Sequence, residues 1–291
     1  MKADAPIFIE KWGMEKGEKI AVMTGATSGF GQVVAKHLVK TRHKLVFLAR
    51  TDAKAKELIN ELSANGSGSV DYILCDLSSL NSISEACSEL LKRYNRIDLL
   101  ILNAGLWNSN YQESKDGVEE TFQVNLLAPV IMFQKLKNLI PRNEGAKVLI
   151  TASTLHQGTI KYDDIEFRKN FSGFKAYRQS KLGVILISRF WAKLPEFSGI
   201  SFYSIHPGVV RTRIAERAGW FSRMFFKLIG SSLEKGARTH IHLIDQPASK
   251  LTSGEYYAKS KITRAAKETY DLQNASKLFE ALNPYIDDYL P

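Results

Sequence analysis

Only two cysteines, Cys75 and Cys87, occur in the chain. Neither a disulfide framework nor a zinc-binding set can be built from so few, so a reducing compartment is the default. Long hydrophobic runs are missing as well. No stretch reaches the roughly 18 consecutive apolar residues that mark a membrane-spanning helix. The opening stretch, MKADAPIFIEKWGMEKGEK, mixes charge with one short apolar run and lacks the apolar core of a secretory signal. Internal repeats and low-complexity tracts do not occur, nor do zinc-finger, RRM or KH patterns. These absences predict a cytoplasmic chain with no metal site and no nucleic-acid partner. Peripheral contact with a membrane stays open.

What is present is an ordinary globular composition. The chain has 291 residues, 44% of them apolar and 24% charged, enough for a sizeable core in one α/β domain. No composition shift marks a linker, so a single domain over 1–291 is expected. Net charge is +10, with Arg211, Arg213, Arg217, Arg223 and Lys227 crowded into one segment. Such a segment is a solvated surface, or it draws anionic cofactors, acidic ligands or anionic lipid.

Short apolar runs alternate with longer amphipathic ones. KIAVMTG, HKLVFLAR, VDYILCD, IDLLILNAG, AKVLITAS and GISFYSIHPG each end on polar or glycine signals. Near-continuous apolar strands are buried on both faces, as in a parallel sheet covered by helices. Helices are expected over roughly 30–41, 53–64, 79–94, 116–140 and 174–194, and SGEYYA near 253–258 offers a last strand. The pattern predicts a Rossmann fold, a doubly wound parallel sheet of about seven strands flanked by helices. Its cofactor-binding core would cover about 18–208, with a loop over 209–232 and a C-terminal part over 233–291. The loop holds Trp220, Phe221, Met224, Phe225 and Phe226 among basic residues. It reads as a lid over a lipophilic substrate, as a membrane contact through 213–229, or as simple packing.

After the first run comes TGATSGFG, Thr24 to Gly31, with glycines at 25, 29 and 31. Glycines let backbone N–H groups approach a pyrophosphate, and the helix that follows adds positive partial charge at its N-terminus. At the end of the second run stands FLARTD. An acid there would bond a ribose 2′-hydroxyl and favour NAD(H), whereas the forked guanidinium of Arg50 suits a 2′-phosphate. NADP(H) is therefore favoured; the alternative is that Arg50 merely ends a strand and Asp52 turns inward. Further on, FKAYRQSKLG sets Tyr177 and Lys181 four residues apart on a helix, hence on one face. A cation near the phenol is expected to lower its pKa from the usual ~10 and make it a usable acid–base group.

In this order the motifs resemble the short-chain dehydrogenase/reductase family over about 20–215. TGATSGFG is similar to its cofactor loop, CDLSS to its acidic motif, and LNAG to its N-N-A-G motif, with Leu102 in place of the first Asn. FQVNLLAP carries Asn125 in a matching place. LITAST offers Ser153, preceded by Ala152 where a serine is common, and YRQSK gives the Y-x-x-x-K pair. HPGVVRT is similar to the family's P-G motif. SKLGVIL, HPGVVRT, LEKGARTH and SGEYYA further resemble the branch of retinol dehydrogenases and related carbonyl reductases.

The resemblance implies Asn125, Ser153, Tyr177 and Lys181 as catalytic residues. Asn125 would bend its helix and hold a relay water, and Ser153 would polarise the substrate oxygen. It implies a cofactor held by Gly25, Thr27, Ser28, Gly29, Phe30, Gly31, Arg50, Asp76, Leu77, Asn103, Ala104, Gly105, Tyr177, Lys181, Pro207, Gly208, Val210 and Thr212. It also implies a small lipophilic carbonyl or alcohol as substrate, and a homodimer through helices near 116–140 and 174–194. His156 and His206 are expected to be structural. The expected activity is NADP(H)-dependent interconversion of a carbonyl and an alcohol. The alternative is a nucleotide-binding regulator on the same fold with little turnover.

Overall fold

The computed structural model describes residues 18–64, 68–142, 145–208 and 232–290. Seven parallel strands form its sheet: β1 (Ile20–Thr24), β2 (Lys44–Ala49), β3 (Val70–Leu74), β4 (Leu99–Leu102), β5 (Lys147–Thr151), β6 (Ser201–His206) and β7 (Tyr256–Ala258). Their order is β3-β2-β1-β4-β5-β6-β7. An eighth strand, β8 (Lys261–Ile262), pairs antiparallel with β7 and was not expected. It closes a two-residue hairpin at Lys259 and Ser260, both with positive φ, the turn whose twist suits two paired strands.

The helices are α1 (Phe30–Lys40), α2 (Asp52–Ser63), α3 (Leu80–Arg93), the single turn α4 (Glu120–Phe122), α5 (Ala128–Leu136), α6 (Gly173–Lys193), α7 (Leu233–Asp245) and α8 (Leu272–Ile286). Alternate strand residues face opposite layers, which is why the runs are apolar throughout. Ile20 and Val22 pack with α3, α5, α6 and α8. Ala21 and Met23 pack with α1, α2 and α7. Among the described residues, no helix is long and apolar enough to cross a membrane.

Two departures from the expected elements bear on function. The helix expected over 116–140 is broken: a π-helical turn, Gln123–Leu127, separates α4 from α5. The C-terminal part, where only a last strand is expected from the sequence, holds α7 and α8. Ser232 and Asp271 cap them by accepting backbone N–H bonds. Buried Lys147, first in β5, donates to the carbonyls of Leu243, Ile244 and Gln246 at 2.7, 3.0 and 2.5 Å, capping the C-terminal end of α7. Helix α8 lies along α6, with the rings of Phe190 and Phe279 5.9 Å apart.

Candidate active site

The order in which successive strands are laid down reverses between β1 and β4, and α/β sheets bind ligands in the crevice at such a point. A cleft of about 410 Å³ opens there. Its floor is the glycine turn. Gly25 has φ +70°, and Gly29 caps α1 at φ 60° and ψ −145° with no side-chain bond. A Cβ on Gly31 would stand 2.0 Å from the Gly25 carbonyl oxygen. The loop is therefore closed on itself, leaving backbone N–H groups and the start of α1 facing the cleft. Thr24 Oγ1 accepts from the N–H groups of Asn103 and Ala104 at 2.9 and 3.0 Å, and the Asn103 amide donates to the Gly25 carbonyl at 3.2 Å. The two turns that border the cleft thus hold each other.

Of the expected cofactor residues, Gly25, Thr27, Ser28, Gly29, Phe30, Arg50, Asp76, Leu77, Asn103, Ala104 and Gly105 line this cleft. Gly31 sits behind it, and Pro207 and Gly208, after β6, are not part of its lining. Val210, Thr212, the proposed lid and the 213–229 segment lie outside the described residues. Arg50 is exposed and lines the cleft, whereas Asp52 does not. Its carboxylate is taken by Lys56 at 2.7 Å and by the Tyr72 hydroxyl at 2.5 Å. Lys54, a second exposed cation in the lining, escaped the sequence reading. No motif marks it; only the first turn of α2 brings it beside Arg50.

The catalytic candidates converge on the other side of Gly105. A Cβ on that glycine would lie 3.1 Å from Asn125 Oδ1 and 3.3 Å from Lys181 Nζ. Asn125 stands in the π-helical turn, a distortion that often marks a functional position. Its Oδ1 accepts from the Leu106 N–H at 2.8 Å, and its Nδ2 donates to the Leu106 carbonyl at 2.9 Å and to Ser180 Oγ at 3.0 Å. Lys181 Nζ donates to the Thr151 carbonyl at 2.8 Å and lies 5.7 Å from the centre of the Tyr177 ring. Tyr177, Lys181, Ser153 and Asn125 are all buried.

Ser153 is tightly placed. Its hydroxyl accepts from the Leu155 N–H at 3.1 Å. Its carbonyl accepts from the Tyr256 hydroxyl at 3.1 Å and from His156 Nδ1 at 2.5 Å. A carbonyl can only accept, so Nδ1 carries the His156 proton, while Nε2 accepts from the Ala266 N–H at 3.1 Å. His206 Nδ1 in turn accepts from the Thr154 N–H at 3.2 Å. Burial holds the His156 pKa below its ordinary value and brings His206 down to about 4. Both histidines are thus neutral structural links, as expected.

The expected lowering of the Tyr177 pKa by Lys181 does not match this geometry. Burial raises the phenol pKa, opposed only by a hydrogen bond with Ser153. Burial also lowers Lys181 to about 8. Both charges are costly in a dry corner, and the ammonium is turned toward the Thr151 carbonyl. The sequence reading also missed Trp107. Its indole lines the cleft and stacks on the Tyr177 ring, centroids 4.8 Å apart and planes 13° apart.

The family model described as short chain dehydrogenase matches residues 19–220. The chain belongs to the short-chain dehydrogenase family. This short-chain dehydrogenase is 30% identical over 280 residues to retinol dehydrogenase 14 of Mus musculus, covering 90% of this chain and 84% of that one. It is 26% identical over 284 residues to polyprenol dehydrogenase of Homo sapiens, covering 94% and 86%. It shares its fold with the Pseudomonas aeruginosa RhlG/NADP active-site complex, at TM-score 0.65 and 23% identity over 82% of this chain and 93% of that one. As a member of this family it is an oxidoreductase of CH–OH or carbonyl groups that uses a nicotinamide dinucleotide. The cleft fits that cofactor: a glycine cradle with no room for side chains, an uncapped helix start and a cation at the far end.

Proposed function

We propose that this short-chain dehydrogenase reduces a lipophilic ketone or aldehyde with NADPH, Tyr177 donating the proton. The carrying observation is that Tyr177, Ser153, Lys181 and Asn125 meet in one buried corner at the edge of the glycine-floored cleft. The cofactor, when bound, supplies the hydride. The chain supplies the rest. Ser153 Oγ–H bonds the substrate oxygen and, with its own carbonyl clamped, holds that oxygen near Tyr177. The Tyr177 hydroxyl gives its proton to the oxygen as negative charge develops there, and the Lys181 ammonium, bonded to the Thr151 carbonyl and 5.7 Å from the ring centre, would turn toward the phenolate left behind to support it. Asn125 keeps the Leu106 backbone in place and closes the proton path toward Lys181.

Arg50 and Lys54, flanking the cleft where Asp52 is bonded elsewhere, favour a 2′-phosphate and hence NADP(H). The RhlG structure carries NADP, which supports that choice. Relatives named for retinol and polyprenol support a lipophilic substrate. A panel of carbonyl compounds including all-trans-retinal tests the reading. Tyr177→Phe is expected to cut reduction by about 10²- to 10⁴-fold with NADPH binding kept. A wild type that binds NADPH but turns over nothing supports the regulator instead. Arg50→Ala is expected to weaken NADPH about tenfold or more while sparing NADH, since a charged hydrogen bond is worth ~1.5–3 kcal/mol. Equal weakening of both cofactors would contradict the 2′-phosphate assignment.

A further inference from the structure

We infer that Trp107 is the positioning residue of the acid–base tyrosine, and that Asn125 acts on Tyr177 through it. The inference rests on Tyr177 being the proton donor. A phenol turns about two side-chain bonds, so its hydroxyl direction is set by whatever holds the ring. Here that is an indole lying flat on it, 4.8 Å between centroids and 13° between planes. Leu155 packs against the same pair. Phe174, one turn before Tyr177 on α6, tilts against the other ring of the stack, 6.0 Å from Trp107 at 41°. Stacking of this kind contributes beyond simple burial.

The seat of the indole is itself fixed from both sides. Leu106, the residue before it, has its N–H and its carbonyl both taken by the Asn125 amide at 2.8 and 2.9 Å. Asn108, the residue after it, donates to Glu120 Oε2 at 2.7 Å. At Gly173 the start of α6 comes so close that a Cβ would stand 2.0 Å from the Asn108 carbonyl oxygen. The three-residue segment is therefore wedged between the π-helical turn and the helix that carries Tyr177. The indole also lines the cleft, so it separates the phenol ring from solvent. A local pyramid of constraints, π turn to backbone to indole to phenol, aims the hydroxyl.

Steady-state reduction and NADPH titration of the full chain test this, together with NMR of ring-labelled tyrosine. Tyr177→Phe identifies the Tyr177 ring signals, which the indole shifts away from ordinary tyrosine positions. In Trp107→Ala those signals are expected to move back, and kcat to fall about ten- to a hundredfold, more than any rise in the Kd for NADPH. Trp107→Phe, which keeps a stacked ring, is expected to recover most of both. Should Trp107→Ala fail to fold, Trp107→Leu serves as the apolar, non-stacking variant. An unchanged kcat, unshifted Tyr177 signals, or a Phe variant no better than the Ala variant overturns the proposal. If the wild type reduces no carbonyl, the proton-donor reading fails by itself, and the ring signals still decide whether Trp107 holds Tyr177.

Discussion

The two ends of the site are built by opposite means. At the nucleotide end, function comes from what is left out. Gly25, Gly29 and Gly31 remove side chains so that backbone can fold against backbone. At the proton end, function comes from what is put in. Asn125, Ser153, Tyr177 and Lys181 arrive from a π-helical turn, a strand end and one helix, all buried, with Asn125 bonded to Ser180 and Lys181 to the Thr151 carbonyl. The first end is local in sequence and depends on shape. The second is assembled by tertiary packing and depends on electrostatics. Damage to the first should therefore be steric and large, and damage to the second graded.

The largest effect tests the steric end. Gly31→Ala places a Cβ 2.0 Å from a backbone oxygen that has no flexible side chain to yield. Unfolding in urea is expected to show a loss of about 3 kcal/mol, with NADPH affinity falling alongside. A variant with normal stability and tight binding would mean that the cradle is not set by close approach, and the contrast would collapse.

An intermediate effect tests the electrostatic end. Burial brings the Lys181 ammonium from its ordinary 10.5 down to about 8. A lowered pKa in a base means that it loses its charge as pH rises through that value. On the proposed mechanism the charged form supports the Tyr177 phenolate, so kcat/KM is expected to be level below about pH 8 and to decline above it. Cofactor affinity, which on the proposed reading rests on Arg50 and the glycine loop, should not follow the same curve. Superimposable profiles would show that the two ends are not independent.

The smallest effect lies at the edge of the corner. Tyr256→Phe removes one of the two donors to the Ser153 carbonyl and leaves His156 in place. A stability loss of about 1 kcal/mol is expected by thermal melting, with a drop in kcat of a few-fold at most. A collapse of activity would make the Ser153 clamp far less redundant than it looks.

How much could be read without coordinates follows the same division. The buried strands announced themselves because both faces are covered, so no polar alternation interrupts Ile20–Thr24 or Lys44–Ala49. The glycine loop and the Tyr177–Lys181 spacing are local and were legible for that reason. The β7–β8 hairpin was not, because Lys259 and Ser260 adopt positive φ without the Asn-Gly pair that usually signals it. The break at Asn125 was expected as a bend, but its form as a π turn depends on bonds to Leu106 and Ser180 from distant segments. Trp107 and Lys54 carry no spacing signal at all; only folding sets one beside Tyr177 and the other beside Arg50. The pKa balance at Tyr177 was misjudged because helical spacing gives proximity and says nothing of burial.

Helix α8 runs along α6, the helix that carries Tyr177 and Lys181. A ribosome delivers the chain from its N-terminus, and α8 is the last helix among the described residues. Until Leu272–Ile286 has emerged, α6 keeps an apolar flank bare, of the kind that holds a nascent chain open to misassembly. Helix α1, which carries the nucleotide cradle, waits likewise for α7, which packs against it from the C-terminal part. Both ends of the site thus stay incompletely covered until Leu233–Asp245 and Leu272–Ile286 have emerged.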